Sequence, residues 1–207
     1  DVRSLPNSEL DDLAVAVVSR LVVTGGKHHR LHEELTVSGG YMKDSSFSRE
    51  ARVTQVNTWL DKAGSILANE RLFEGLKRRF ERNQDSILQA VEARSRDRLK
   101  NLEATLETRK QQEIGNIASV LDELERAIQD ELRKEIEPEQ LALFSEDERT
   151  QVRRDSEALK LRLARIPNEK EQEIETIRQR FEGYAVRTFP VAVIFLVPER
   201  HPWRADA

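Results

Sequence analysis

Cysteine is absent from the 207 residues, which excludes a disulfide-stapled domain and any Cys-ligated zinc or iron–sulfur module. Glycine and proline are scarce, at 8 and 6, leaving little of the punctuation that the many short strands of an all-β fold require. Long apolar runs are missing as well. Those around Leu13 to Val23 and Phe189 to Val197 fall short of the roughly 18–20 residues a membrane span needs, so a cytoplasmic chain without a membrane partner is expected. Charge is what the chain has in abundance. Charged residues reach 35% against 38% hydrophobic, a balance that suits long exposed helices. The chain opens on Asp1 with neither an initiator Met nor a signal-peptide pattern, and reads as an excised piece of a longer protein.

Charge is also segregated. Residues 71–110 hold 11 basic and 7 acidic side chains, residues 111–148 hold 3 and 12, and residues 149–166 hold 6 and 2. Blocks of alternating sign on long helices can set the register of an antiparallel bundle, although each exposed pair adds less than about 1 kcal/mol.

Hydrophobic spacing predicts the elements. Leu10, Leu13, Ala14, Val17, Val18, Leu21 and Val22 recur at intervals of three and four behind Ser8, which predicts a first helix ended by Gly25-Gly26. From there to about Ser48 the histidines, serines and Gly39-Gly40 read as a long loop with a short strand at Leu35 to Val37. A second helix is expected from about Ser48 to Leu67, carrying Val53, Val56, Leu60 and Leu67 on one side with Trp59 close by. Residues 69–135 contain no Pro and two Gly, with heptad-like Leu and Ile. The seam breaks at the polar run Arg109 to Glu113 and at Gly115; an unbroken helix would extend about 100 Å, so a hairpin reversal is expected there. Ser145-Glu146-Asp147-Glu148 is a capping box opening a helix that Pro167 should stop. Asn168 should cap a further, antiparallel helix closed by Gly183. Phe189 to Val197 is apolar on both faces and predicts a strand buried on two sides, bounded by Pro190 and Pro198.

The fold class expected is therefore mainly α: a long antiparallel coiled-coil hairpin on a small α+β base with a C-terminal buried strand. Residues 1–68 form the N-terminal helical and loop part of the base, 69–135 the hairpin, and 136–207 the capped helix pair and terminal strand that complete the base.

Candidate sites are few. His28, His29 and His32 beside Glu33 and Glu34 could hold a divalent cation if residues 28 and 32 shared a helical face, but they lack the His-Glu-x-x-His spacing, and a solvated loop is the simpler reading. Thr24-Gly25-Gly26-Lys27 lacks the first Gly of a phosphate loop and has His28 where a Ser or Thr should follow the Lys. No metal, cofactor or catalytic residue is assigned. Lys77, Arg78, Arg79, Arg82, Arg94, Arg96, Arg98 and Lys100 are the candidates for tracking a nucleic-acid backbone. Interspersed Glu and an acidic balance favour the competing reading of a solvated coiled-coil face, and no aromatics interleave to stack bases.

Residues 136–198 carry a resemblance. Ile136 to Phe144 with its Glu139-Gln140-Leu141-Ala142-Leu143-Phe144 run, the capped helices, and Phe189-Pro190-Val191-Ala192-Val193-Ile194-Phe195-Leu196-Val197-Pro198 resemble the C-terminal end of large bacterial Swi/Snf-type helicases, nearest the DISARM phage-defence class. The resemblance implies a parent that hydrolyses ATP with Mg to translocate on DNA. This chain has no Walker A loop, acidic Mg-binding box or arginine finger, so no ATPase residue carries over. The expectation is a noncatalytic accessory domain that positions DNA, docks a protein subunit or regulates the parent's motor lobes. The alternative is a coiled-coil scaffold or self-association module unrelated to helicases.

Overall fold

A computed structural model describes residues 1–134 and 145–204 of the chain. The elements are β1 (Val2–Leu5), β2 (Ala14–Thr24), β3 (Arg30–Met42), β4 (Phe47–Arg49), α1 (Val53–Lys62), β5 (Gly64–Ser65), α2 (Glu70–Arg133), α3 (Glu146–Arg180) and β6 (Ala185–Pro198). The mainly helical chain thus carries a six-stranded mixed sheet of order β4-β3-β2-β6-β1-β5, in which only the β1–β6 pair is parallel. Two compact units result. One comprises residues 1–103 and 184–207, the other 104–183.

The first unit departs most from expectation. The segment predicted as the first helix is β2, a strand paired on one side with β3 and on the other with β6. Its Leu and Val recur at three and four because almost every position is apolar, and a run buried on both faces satisfies the helical and the strand template alike. Val15 and Val17 face a core with Leu72, Leu76, Ile87, Val91 and Phe195, while Ala14 and Ala16 face another with Leu5, Leu10, Val56, Trp59 and Leu196. The second core lies under α1, which spans only Val53–Lys62 and not the expected Ser48 to Leu67.

The expected loop before Ser48 is mostly β3, thirteen residues long. Gly39 and Gly40 are not loop punctuation. A Cβ on Gly39 would stand 2.7 Å from the Val15 carbonyl oxygen and 3.0 Å from Val56, so glycine is what lets α1 and β2 approach this strand.

β6 supplies the strand expected at the C-terminal end, and its partners are β2 and β1. Burial on two sides holds for Phe195 to Pro198 only; Phe189 and Val191 remain 48% and 57% exposed. Phe80 of α2 meets Phe195 edge-on at 5.9 Å between ring centroids.

In the second unit α2 and α3 are each continuous where a break was expected. α2 passes through Arg109–Gly115 without reversing. The polar run is held by Arg109–Glu113 at 2.9 Å and Lys110–Glu107 at 2.9 Å, and a Cβ on Gly115 would meet nothing within 4 Å. Leu106, Ile117 and Ile128 fall at eleven-residue intervals, three full turns, so the apolar face is kept while the heptad count fails.

Ser145 forms the expected capping box with Glu148, its amide donating to the Glu148 carboxylate at 2.7 Å. Pro167, however, does not end the helix. Ile166 is fully buried against Leu121 and Ile128, and an Arg162–Glu169 ion pair bridges the proline, contacts that offset the one lost backbone bond. Asn168 is therefore mid-helix and not a cap. Gly183, at φ +60°, closes the segment as expected.

Asp122 accepts from Lys170 at 2.6 Å and Glu113 from Arg180 at 3.1 Å, so partner numbers fall along α3 as they rise along α2. The cations of these pairs lie beyond the basic block 149–166 that charge segregation had nominated for setting register.

Because Gly115 is helical with open space at its Cβ position, Gly115→Ala is expected to stabilise the chain by about 0.5–1 kcal/mol. Urea denaturation followed by circular dichroism at 222 nm measures it; a loss of stability would mean that a turn at this position had been disturbed.

Candidate nucleic-acid interface

The eight basic candidates all lie on α2 within the first unit, and their surroundings divide them. Three belong to the body of the fold. Arg79 pairs with Asp44 at 2.6 Å, donates to the Met42 carbonyl at 3.4 Å and lies 4.6 Å from the Trp203 ring centroid. Trp203 packs close on Gly75 and edge-on to His201, whose pKa is pushed down by burial and then by the Arg79 charge. Arg98 donates from Nε and Nη2 to both oxygens of Glu34 on β3, at 2.5 and 2.9 Å. Arg94 is half-buried, with its Nε enclosed and without a hydrogen-bond partner among the described residues.

The other five are exposed: Lys77, Arg78, Arg82, Arg96 and Lys100. At about 100° per residue, Arg78, Arg82, Arg96 and Lys100 fall within roughly 40° of one another, on the side of the helix opposite Leu76 and Ile87. Their spacing of four, fourteen and four places them two by two along one outward line. Arg71 extends this line by one heptad, a residue that reading clusters alone had missed; its heptad phase was the available signal. Lys77 stands about 100° away from Arg78. Glu81, Asp85 and Glu92 border the line and weaken its field.

An exposed row of guanidinium and ammonium groups without base-reading partners can neutralise phosphates and nothing more specific. By helical period Phe73 and Phe80 of α2 fall on the side of the helix away from this row, where they cannot stack a base bound along it.

The remaining candidates do not form sites. Gly25-Gly26-Lys27 makes the turn of the β2–β3 hairpin, with Lys27 and His28 at φ 54° and 59° and the Gly25 amide donating to the His29 carbonyl at 2.9 Å. A phosphate loop leads from a strand into a helix; this turn leads into a strand. His28 lies in that turn and His32 on β3, so they share no helical face, and His32 Nε2 sits 3.3 Å from Glu34. Among the described residues no three His, Asp or Glu side chains converge on a point where a cation could sit.

No protein-family model matches the chain, and no curated protein matches it significantly. The Ile136 to Phe144 part of the helicase resemblance lies outside the described residues. The Phe189 to Pro198 part is the inner strand β6. No helix among the described residues is long and apolar enough to cross a membrane.

The Arg98–Glu34 pair has a pH signature. The Arg98 hydrogen bonds hold the Glu34 carboxyl below its ordinary range against the opposing effect of burial. Because the folded value lies below the unfolded one, the stabilisation is complete above the unfolded Glu value of about 4.3 and is lost as pH falls through the folded value. Glu34→Gln should therefore cost about 1–2 kcal/mol at neutral pH, and the cost should shrink as pH is lowered below about 4. Urea midpoints measured between these limits test it. A difference that does not vary with pH would assign Glu34 a packing role only.

Proposed function

We propose that the chain is a noncatalytic accessory domain of a Swi/Snf-type DNA helicase or translocase, of the kind found in bacterial phage defence, and that it contacts DNA through the outward row of α2. The observation that carries this reading is the sorting of the basic residues: Arg78, Arg82, Arg96 and Lys100 share one exposed face, while Arg79, Arg94 and Arg98 are drawn into the fold. Four cations over about 33 Å of helix, at 1.5 Å per residue, suit a backbone tracked without sequence preference. In this reading ATP and Mg are handled by motor lobes elsewhere in a cytoplasmic parent, and this chain's work is mechanical. The second unit's helices form an antiparallel coiled-coil hairpin, a lever or a docking arm for a protein subunit.

A scaffold or oligomerisation module is the second reading. It is favoured by Val120 and Leu161, large apolar residues exposed on the helices of the second unit.

Fluorescence anisotropy with a labelled duplex distinguishes the two. Binding should be weak and independent of sequence, with log affinity falling against log salt at a slope of about −2 to −4, near 0.9 per phosphate. Arg78→Glu with Arg82→Glu should flatten the slope by roughly two, while Lys77→Glu, off the row, should change it less. Absence of binding at low salt would exclude the DNA-contacting role and leave the scaffold. The isolated chain should show no DNA-stimulated ATP turnover; turnover would overturn the noncatalytic assignment.

A further inference from the structure

The edge of β3 away from β2 is left open over much of its length. β4 covers β3 only at Gly40, Tyr41 and Met42, and the Gly39 carbonyl accepts from the Glu50 amide at 2.9 Å. That bond fixes the direction in which β3 presents its backbone. Gly39 faces away from β2, and the Met42 amide, three residues on, faces toward it through the Leu13 carbonyl at 2.7 Å. By the two-residue alternation of an antiparallel ladder, Glu33, Leu35 and Val37 also direct N–H and C=O outward. None of these groups bonds to any described residue.

Such an edge is normally blunted by a charge, a bulge or a covering element. Glu33, paired with Arg20 and Arg30, supplies charge at one end of this edge, and beyond it the edge opens into a groove of about 250 Å³ lined by Glu34, Leu35, Thr36 and Val37 of β3, Val53 and Asn57 of α1, and Arg94 and Arg98 of α2. The two walls differ in chemistry. On the α1 side stand Val53 and Leu35, the latter 68% exposed although it lies in a thirteen-residue strand. On the α2 side Arg98 donates to both oxygens of Glu34, and Arg94 has no ion-pair partner among the described residues. A guanidinium on the groove wall without a carboxylate of its own can form a charge-assisted hydrogen bond with one that enters.

We infer that this groove receives an extended segment of a partner protein that adds a seventh strand along β3, its alternate residues acidic toward Arg94 and apolar toward Leu35 and Val53. Main-chain bonds to Glu33, Leu35 and Val37 hold the strand, and side-chain alternation selects its sequence. Charge sets the choice of occupant. With Glu34 matched by Arg98, Arg94 is the uncompensated cation of the groove, and it selects a carboxylate. The inference goes beyond the DNA-contacting role and is independent of it, because it uses the sheet edge and not the outward row of α2.

The test uses the full 207-residue chain and a fluorescein-labelled octapeptide of alternating glutamate and valine, read by anisotropy. The glutamate peptide should bind and its lysine–valine counterpart should not. Arg94→Gln should weaken binding tenfold or more without altering the urea midpoint to match. N-methylation of alternate peptide amides, in the frame that faces β3, should abolish binding, whereas methylation in the other frame should be tolerated. Equal binding of the glutamate and lysine peptides, or indifference to Arg94→Gln, would overturn the acidic specificity. Undiminished binding of both N-methylated peptides would overturn strand addition. A concentration-dependent dimer in sedimentation that Leu35→Lys dissolves would also overturn the inference, by showing the edge to be occupied by a second copy of the chain.

Discussion

Everything in the first unit depends on the burial of β2 on both faces. An eleven-residue strand with Val15, Val17, Leu21 and Val23 on one side and Ala14 and Ala16 on the other is stable only when both ladder edges and both faces are covered. β3 follows directly in sequence and closes one edge through a short turn. The other edge is closed by β6, from the far end of the chain. That long-range pairing brings Val193, Phe195 and Val197 beside Val2, Val15 and Val17, and it gives α2 a platform on which Leu72, Leu76, Ile87 and Val91 can bury. Burying each such side chain contributes about 1.5–3 kcal/mol, far more than the exposed ion pairs that the charge pattern brings to notice.

The platform then decides the roles of the charges. Once one face of α2 lies on the sheet, its basic residues can no longer be equivalent. Arg98 reaches Glu34 and Arg79 reaches Asp44 and Trp203, so these positions become structural. Arg78, Arg82, Arg96 and Lys100 are turned outward by nothing more than helical period. Arg94 falls between the two groups: it lines the groove at the sheet edge together with Glu34, and its Nε is enclosed without a hydrogen-bond partner among the described residues. A single packing choice thus yields both the proposed DNA-facing row and the proposed peptide groove.

Local signals in the chain proved sound where the energy that decides them is itself local. The Ser145 capping box forms because one hydroxyl and one carboxylate satisfy two adjacent amides, whatever surrounds them. Gly183 ends its helix because the left-handed conformation there is cheap only for glycine. Tertiary contacts overrode the local signal elsewhere. Pro167 costs a helix about 3 kcal/mol, yet Ile166, Leu121 and Ile128 pack across it. The Arg109 to Gly115 run reads as a break only under a seven-residue count; counted in elevens it keeps one face, and a helical partner carrying Ile166 and Ile177 makes that count the relevant one.

The sequence by itself determined that long charged helices would dominate, where one of them begins, that Phe195 to Val197 would be buried in a strand, and that no phosphate loop or Cys-ligated metal centre could be built. Only the tertiary structure decided that Leu10 to Val22 is not a helix, because its apolar positions fit the helical and the strand template alike. Only the tertiary structure decided which of eight basic residues face outward. That division depends on where α2 rests on a sheet whose central pairing, β2 with β6, joins the two ends of the chain. A one-dimensional pattern reports the interactions of neighbours; the coverage of β2, the enclosure of Arg94 and the open edge of β3 arise between residues far apart in sequence, where no local spacing records them.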